Sequence, residues 1–212
     1  MPSIPGVIPL FPLPDVVLFP HASLPLHVFE PRYRKMVADV LQSHQTIGMI
    51  LLRPGWETDY HGRPPVFGSG CAGRIEACER LEDGKYDLVL GGLTRFRVIE
   101  EHAGQPYRLA TVEPRPEDEE AAAAADLDGF RRRVLAAIGR AADGPTVMVL
   151  NSELPHATFV DALSQSLPLA PLERQSLLDC DSVGQRYARL LEVLEFREIE
   201  QTYGRNRNPI VH

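Results

Sequence analysis

The glycine-rich run at residues 68–73, Gly-Ser-Gly-Cys-Ala-Gly, has a spacing that could support chemistry. It matches G-x-G-x-x-G, the pattern of a loop that places a dinucleotide pyrophosphate on the amides of a following helix. The residues after it are typical of a strand and a turn, and the Arg-Pro-Pro before it does not begin a βαβ unit. We therefore interpret these glycines as residues that ease strand curvature. The sequence also contains no G-x-x-x-x-G-K-[ST] motif, and we expect no nucleotide and no cofactor.

The sequence also contains little that would support a catalytic nucleophile or a metal site. The two lysines, Lys35 and Lys85, fall on a predicted helix and at a predicted turn, without the serine context that a Ser-Lys dyad needs. None of the seven histidines lies in an H-E-x-x-H motif, and His21 and His27 lack a third ligand nearby. The three cysteines fit neither a zinc pattern nor a disulfide framework. We expect no enzyme activity and no metal, and a hydrolase with a cryptic site is a rival without a supporting constellation.

Aromatic residues in a loop are better candidates for binding. Trp56, the only tryptophan, lies in a Pro- and Gly-rich excursion at residues 53–68, with Tyr60 and Phe67 close behind. Large aromatic side chains dominate interface energetics, so these three could anchor an apolar peptide. The alternative is that Trp56 caps the core of the fold, and the sequence leaves both interpretations open.

A second candidate surface lies at the junction between a strand and a helix. Phe29 and Tyr33 border this junction, with Arg32 beside them, and together they could line a peptide-binding groove. Core packing of Phe29 is the alternative. An exposed strand edge could also bind peptide through main-chain pairing, a mode that leaves almost no side-chain signature.

The elements that must position these residues begin with a proline-rich apolar segment, Ile8 to Tyr33. Its prolines exclude a continuous helix, because each removes a backbone donor and fixes φ. The segment is also too apolar for a solvated tail, so we expect short, buried, extended pieces separated by turns. The pattern further predicts a helix over 31–43, five to seven short strands up to residue 114 and a hairpin turn at 82–84. Together these elements indicate a small, partly open barrel.

The pattern changes near residue 115. Apolar residues then recur at helical spacing, and Ser182 followed by Gln185 has the spacing of a capping box. We predict an α+β chain with an N-terminal β pseudobarrel at 1–114, a helical bundle at 115–203 and a flexible tail at 204–212. The net charge of −7 disfavours general affinity for nucleic acid. The chain has neither a secretory signal nor a run long enough to span a membrane, and we expect a cytoplasmic protein.

Three blocks of this sequence resemble the substrate-binding N-terminal domain of Lon proteases. The opening segment is similar to that family's PL-x-P-L-P-x-x-V-x-F-P run, and residues 81–101 are similar to its hairpin, with Gly92, Arg95 and Phe96 at the G-x-x-R-[AF] element. Residues 159–194 are similar to its helical part. The matching positions in that part are Asp161, Leu163, Leu167, Leu169, Gln175, Leu177, Leu178, Arg186, Leu190, Leu191 and Leu194.

The resemblance implies a PUA-like barrel that recognises unfolded or degron-bearing polypeptide and has no chemistry of its own. No segment resembles the ATPase or peptidase modules, so we expect a stand-alone domain that acts as an adaptor or holdase in protein quality control, with a protease or chaperone as a further partner. One rival is an RNA-binding module, for which Arg95, Arg97 and Arg108 could form a basic patch. Another is a homo-oligomeric scaffold without a ligand.

Overall fold

The fold is an α+β arrangement that divides into two compact units. The computed structural model describes residues 4–60, 62–117, 126–141 and 154–206. The first unit comprises Met1–Pro116 together with Asp161–Asp179, and the second comprises Glu117–Val160 together with Cys180–His212.

The first unit is built around a sheet of six strands. In chain order they are β1 (Val7–Leu13), β2 (Ser23–Val28), β3 (Thr46–Leu51), β4 (Ser69–Arg80), β5 (Tyr86–His102) and β6 (Arg108–Pro114). Their order in the sheet is β2-β5-β4-β3-β1-β6, and β5 also pairs with β6. Strands β1 and β3 are parallel, and the remaining pairs are antiparallel.

The extra pairing between β5 and β6 closes five of the strands into a ring, so the barrel is closed where the sequence predicted a partly open one. Strand β5 is 17 residues long, which allows it to pair with β2 over its first part and with β6 over its last part. Strand β2 lies outside the ring, and among the described strands it pairs with β5 alone.

The interior of the barrel is filled by apolar side chains from strands on all sides of the ring. Its buried members are Ile4, Ile8, Leu10, Ile50, Ala72, Phe96, Ala110 and Val112. The predicted strand character of the glycine run is confirmed, because residues 69–73 form the first part of β4. A side chain at Gly70 would collide with the main-chain oxygen of Met49 and the ring of Phe96, so this position needs glycine for close packing.

The predicted helix after Pro31 is confirmed as α1 (Pro31–Leu41), which buries Tyr33, Met36, Val37 and Val40. Glu30 has an extended backbone and Pro31 is the first helical residue, a position where proline costs no hydrogen bond. The chain therefore turns directly from β2 into α1, and a short 3₁₀ helix at Trp56–Asp59 follows β3.

Residues 161–179 belong to the barrel unit, which differs from the predicted division of the chain near residue 115. Arg95 donates from its guanidinium to the main-chain oxygens of Leu178 and Pro116, each at 3.2 Å. Gln175 donates to the main-chain oxygen of Ser69 at 3.3 Å. The end of α3 (His156–Ser166) and all of α4 (Pro171–Leu178) are therefore counted with the strands and not with a separate bundle.

The second unit contains α2 (Leu127–Ala141), the start of α3 and α5 (Val183–Asn206). The rings of Phe130 and Tyr187 stack with centroids 6.2 Å apart. The predicted cap of the last helix is confirmed, because the Ser182 hydroxyl accepts the N–H of Gln185. Helix α5 continues to Asn206, and the rest of the predicted tail at 204–212 lies outside the described residues.

Candidate functional site

Five residues near the start of α1 and in the loop after β3 form one cluster, which we call the Arg32 cluster: Glu30, Arg32, Tyr33, Trp56 and Tyr60. The guanidinium carbon of Arg32 lies 4.6 Å from the ring centroid of Tyr33 and 5.3 Å from that of Tyr60. Glu30 accepts from Arg32 Nε at 3.0 Å and from the Tyr60 hydroxyl at 2.7 Å. Trp56 packs edge-on against Tyr60 with a centroid distance of 5.5 Å.

The phenols of this cluster are held in their neutral forms. Burial raises the pKa of Tyr33 to about 12. Burial also raises the pKa of Tyr60, and its hydrogen bond to Glu30 acts in the same direction. Tyr60 therefore remains a hydrogen-bond donor at neutral pH. The cluster satisfies its own charges internally, which is what a packing unit between a loop and a helix requires.

The structure brings four of the six predicted binding residues together and leaves two apart. Trp56, Tyr60 and Arg32 are half-buried in the cluster, and Tyr33 is fully buried, so its ring offers no surface to a ligand. Phe67 lies elsewhere, half-buried, with the Arg53 guanidinium 5.6 Å from its ring centroid. The role of these residues in binding stays a prediction.

Phe29 is the predicted residue with the most open surroundings, because 58% of its surface is exposed. Its ring stacks on that of His27 with a centroid distance of 6.2 Å. The two residues are two positions apart on an extended chain, so they lie on the same side of β2. The core packing of Phe29 that the sequence left open is therefore not what the structure shows.

A surface that the sequence did not reveal continues from Phe29. It is formed by β2, residues 86–91 of β5 and residues 74–80 of β4, three adjacent strands that we call the arm. Directly opposite residues in a sheet share a face. Two such rows lie on one face. The apolar row consists of Pro25, Val89 and Ala77, of which Val89 is half-buried, and the exposed acidic row consists of His27, Asp87 and Glu79.

A shallow groove of about 580 Å³ lies on the arm. Its lining consists of the apolar row, the acidic row and the strand residues between them, Leu26, Leu88 and Cys78. Among the described residues, this lining contains no lysine or arginine. The groove is thus an apolar depression whose charged side chains are two carboxylates, with the imidazole of His27 beside them.

The main chain of β2 provides a free edge beside this face. The N–H of Gly92 donates to the carbonyl of Ala22 at 2.8 Å, so this carbonyl, one residue before β2, points toward β5. The main-chain groups of successive residues in a strand point to opposite sides, so those of Ser23, Pro25 and His27 point away from β5. Pro25 has no N–H, and the edge can add another strand only with one main-chain bond missing.

The predicted arginine patch is wrong as a surface feature, because two of its three members are buried. Arg95 is 2% exposed and its guanidinium bonds to main-chain carbonyls. Arg108 is 6% exposed, and it donates to Glu101 and to the main-chain oxygen of Pro64. Only Arg97 of the three is exposed. These side chains stabilise the fold and present no basic surface to a phosphate backbone.

The two lysines that were considered for a Ser-Lys dyad each form an ion pair with a nearby aspartate. Lys35 contacts both carboxylate oxygens of Asp39, at 2.5 and 2.7 Å, and this hydrogen bond lowers the pKa of Asp39. Lys85 pairs with Asp83 at 2.7 Å. Over the ranges that the structure describes, no three His, Cys, Asp or Glu residues are grouped so as to hold a metal ion. Nor is any helix in those ranges long and apolar enough to cross a membrane.

Comparison with known proteins gives a consistent result. A family model described as the ATP-dependent protease La (LON) substrate-binding domain matches residues 7–195. Lon protease from Anaeromyxobacter dehalogenans is 29% identical over 199 residues, covering 91% of this chain and 23% of that protein. Lon protease 2 from Myxococcus xanthus is 29% identical, covering 91% and 24%. The chain thus spans about a quarter of the length of these relatives.

Two solved structures share the fold. The Lon N-terminal domain protein from Xanthomonas campestris has a TM-score of 0.59 and 28% identity, covering 88% of this chain and 97% of that one. The N-terminal domain of a Mycobacterium avium complex Lon protease has a TM-score of 0.68 and 17% identity, covering 89% and 98%.

The fold and its exposed arm define an α+β domain built on a closed five-stranded barrel. The chain belongs to the Lon substrate-binding domain family, as the resemblance in its sequence predicted. The description of the family names this domain as the substrate-binding part of an ATP-dependent protease.

Proposed function

We propose that this protein binds unfolded or degron-bearing polypeptide without nucleotide and acts as an adaptor or holdase in protein quality control in the cytoplasm. The observation that carries the proposal is the exposed apolar face of the arm, where Phe29 continues the side of β2 that also carries Pro25. The family's role as the substrate-binding part of Lon supports it.

The chemistry of this face suits a non-native polypeptide. Phe29, Pro25, Val89 and Ala77 offer apolar surface, and burying one large apolar side chain contributes about 1.5–3 kcal/mol. Extended segments with exposed apolar side chains occur in unfolded chains, whereas folded proteins bury them. Association costs offset much of the gain, so we expect affinities in the range of roughly 1–100 μM.

The local structure also supports independence from nucleotide. The one glycine-rich run lies within strand β4, where Gly70 is packed against Met49 and Phe96. A pyrophosphate site would need such a run to open a helix, because the phosphates bind to helical amides.

Binding to RNA is not favoured. The interpretation depended on an arginine patch, and Arg95 and Arg108 are buried. The formal net charge of −7 acts in the same direction.

The experiment uses a fluorescein-labelled, permanently unfolded protein and its folded counterpart, with anisotropy measured against rising concentrations of this protein. We expect saturable binding of the unfolded form alone, unchanged by ATP. Labelled single-stranded RNA in the same assay tests the rival, because its binding would weaken steeply with salt. Binding of neither polypeptide up to about 100 μM, where the binding free energy is only about −5 kcal/mol, would refute the proposal.

The two roles within the proposal are separated by a second measurement. A holdase slows the aggregation of a heat-denatured client on its own, in proportion to its concentration. An adaptor leaves aggregation unchanged and accelerates degradation only when an ATP-dependent protease is added. Sedimentation equilibrium run alongside shows whether self-association without client binding, the scaffold alternative, describes the protein better.

A further inference from the structure

We propose that the open face of the arm selects extended segments in which a basic residue stands between two apolar residues at spacing i−2 and i+2, the pattern Φ-x-[KR]-x-Φ. This inference rests on the proposed function, and it specifies the chemistry of the polypeptide that the arm binds. The evidence for it is the order of the apolar and acidic rows along the strands and the charge of the acidic row.

The spacing follows from strand geometry. Pro25 and His27 on β2 and Phe29, the residue after its end, are at positions i, i+2 and i+4. Same-face residues of an extended chain repeat about every 6.5–7 Å. The face therefore presents an apolar row, then an acidic row, then an exposed aromatic ring. A segment extended along the strands carries its own same-face side chains at the same repeat. The pattern reads identically in both chain directions, so it does not depend on the polarity of the bound segment.

The charge of the middle row selects a cation. Asp87 has a side chain that is 53% exposed, and Glu79 is its neighbour across β4 and β5. His27 Nδ1 lies 2.6 Å from Asp87 Oδ1, so one carboxylate is shared with a histidine and the other is open to solvent. The Glu76 carboxylate lies over Gly91 beyond the apolar row.

Two basic residues lie close to the acidic row. Lys85 is two positions before Asp87, and its Nζ pairs with Asp83 at 2.7 Å. Arg80 follows Glu79 and is opposite Tyr86, so its side chain lies on the other face of β4. Arg74 is exposed and opposite Gly91, one row beyond the apolar row and two rows from Asp87 and Glu79. A lysine or arginine of the ligand can rest its alkyl stem on Val89 while its charge reaches the carboxylates.

We expect the charge of the ligand to change its affinity for the arm by a moderate factor. Opposite charges on neighbouring strands stabilise their pairing, and like charges directly opposite each other destabilise it. Exchange of the ligand cation for an anion beside two carboxylates therefore weakens binding about tenfold. Because these charges are exposed, the difference shrinks at 0.5 M salt, where the screening length is only about 4–5 Å.

The test uses three fluorescein-labelled peptides of equal length with the cores Leu-Ser-Lys-Ser-Leu, Leu-Ser-Glu-Ser-Leu and Leu-Lys-Ser-Ser-Leu in a Gly-Ser background. We expect the first to bind about tenfold more tightly than the second. We also expect it to bind at least threefold more tightly than the third, in which the lysine is shifted to the opposite face of the strand.

A variant of the protein with exchanged charges provides the matching test. In the double variant Glu79→Lys with Asp87→Lys, we expect the glutamate peptide to bind more tightly than the lysine peptide. Glu113→Lys alters an exposed carboxylate of β6 outside the arm and should leave the original preference intact.

The outcomes separate this inference from the function on which it rests. Equal affinity for the three peptides, with the unfolded protein still bound, overturns the pattern and leaves polypeptide binding standing. A preference that survives the charge exchange also overturns it, because the cation would then be recognised elsewhere. Failure to bind the unfolded protein refutes the proposed function itself.

Discussion

His27 on β2 and Asp87 on β5 lie directly opposite each other, with Nδ1 2.6 Å from Oδ1, although 60 residues separate them in the chain. They are one of six residue pairs in the register of β2 against β5. That register places Pro25 beside Val89 and points Phe29 into solvent on the same face. The candidate binding surface is therefore a product of strand pairing.

The junction between β2 and β5 depends on glycine at position 92. A side chain there would collide with the main-chain oxygen of Phe19, which cannot move without displacing the segment before β2. We expect Gly92→Ala to lower the free energy of unfolding by about 2–3 kcal/mol, measured by urea denaturation. Gly6→Ala is the matched control, because nothing lies within 4 Å of the added atom, and we expect a change within about 0.5 kcal/mol. Equal effects of the two substitutions would contradict this packing.

A histidine at the start of β3 links stability to pH. His44 Nδ1 accepts the N–H of Thr46 at 3.1 Å, and burial lowers the pKa of His44 below its usual 6.5. The unfolded chain therefore takes up this proton first. The contribution is complete above about pH 6.5 and is lost as the pH falls toward the lowered pKa of the folded state.

His44→Asn separates the hydrogen bond from the titration. An asparagine side chain can accept the same N–H two residues on, and it does not ionise. We expect the variant to match the natural protein in chemical denaturation at pH 8 and to lose less stability between pH 6.5 and 5. Identical pH profiles for the two proteins would show that His44 does not contribute.

The loop tryptophan is expected to stabilise the Arg32 cluster more than it binds polypeptide. Trp56 is half-buried and packs edge-on against Tyr60, so part of its surface is already used in this contact. Trp56→Ala should lower the free energy of unfolding by about 1 kcal/mol through the lost aromatic contact and should change polypeptide affinity less than twofold. Anisotropy and urea denaturation measure the two effects separately. A tenfold loss of affinity in a fully folded variant would assign the binding site to this loop instead.

Much of the local structure could be predicted from the sequence. The helix after Pro31 and the strand that begins at Thr46 follow from apolar spacing and from proline position, which act over a few residues. The capping interaction between Ser182 and Gln185 is equally local. Signals of this kind depend on neighbours in the chain, so a single sequence contains them.

The arm and the buried arginines could not be predicted in the same way. The rows of the arm depend on a register between strands that are distant in the chain, for which the sequence carries no local signal. Arginine is mostly exposed in proteins, and no local pattern marks Arg95 as buried, yet its guanidinium donates to the main-chain oxygens of Leu178 and Pro116. The same long-range contacts explain why residues 161–179 join the barrel unit.

The most direct measurement compares two exposed phenylalanines. Phe29 on the arm is 58% exposed and Phe196 on α5 is 59% exposed, so their replacement by alanine removes the same chemistry from two different surfaces. Binding of the labelled unfolded protein is followed by anisotropy for the natural protein and both variants. We predict that Phe29→Ala weakens binding about tenfold and that Phe196→Ala changes it less than twofold. Equal losses for the two variants, or no loss for Phe29→Ala, would contradict the assignment of polypeptide binding to the arm.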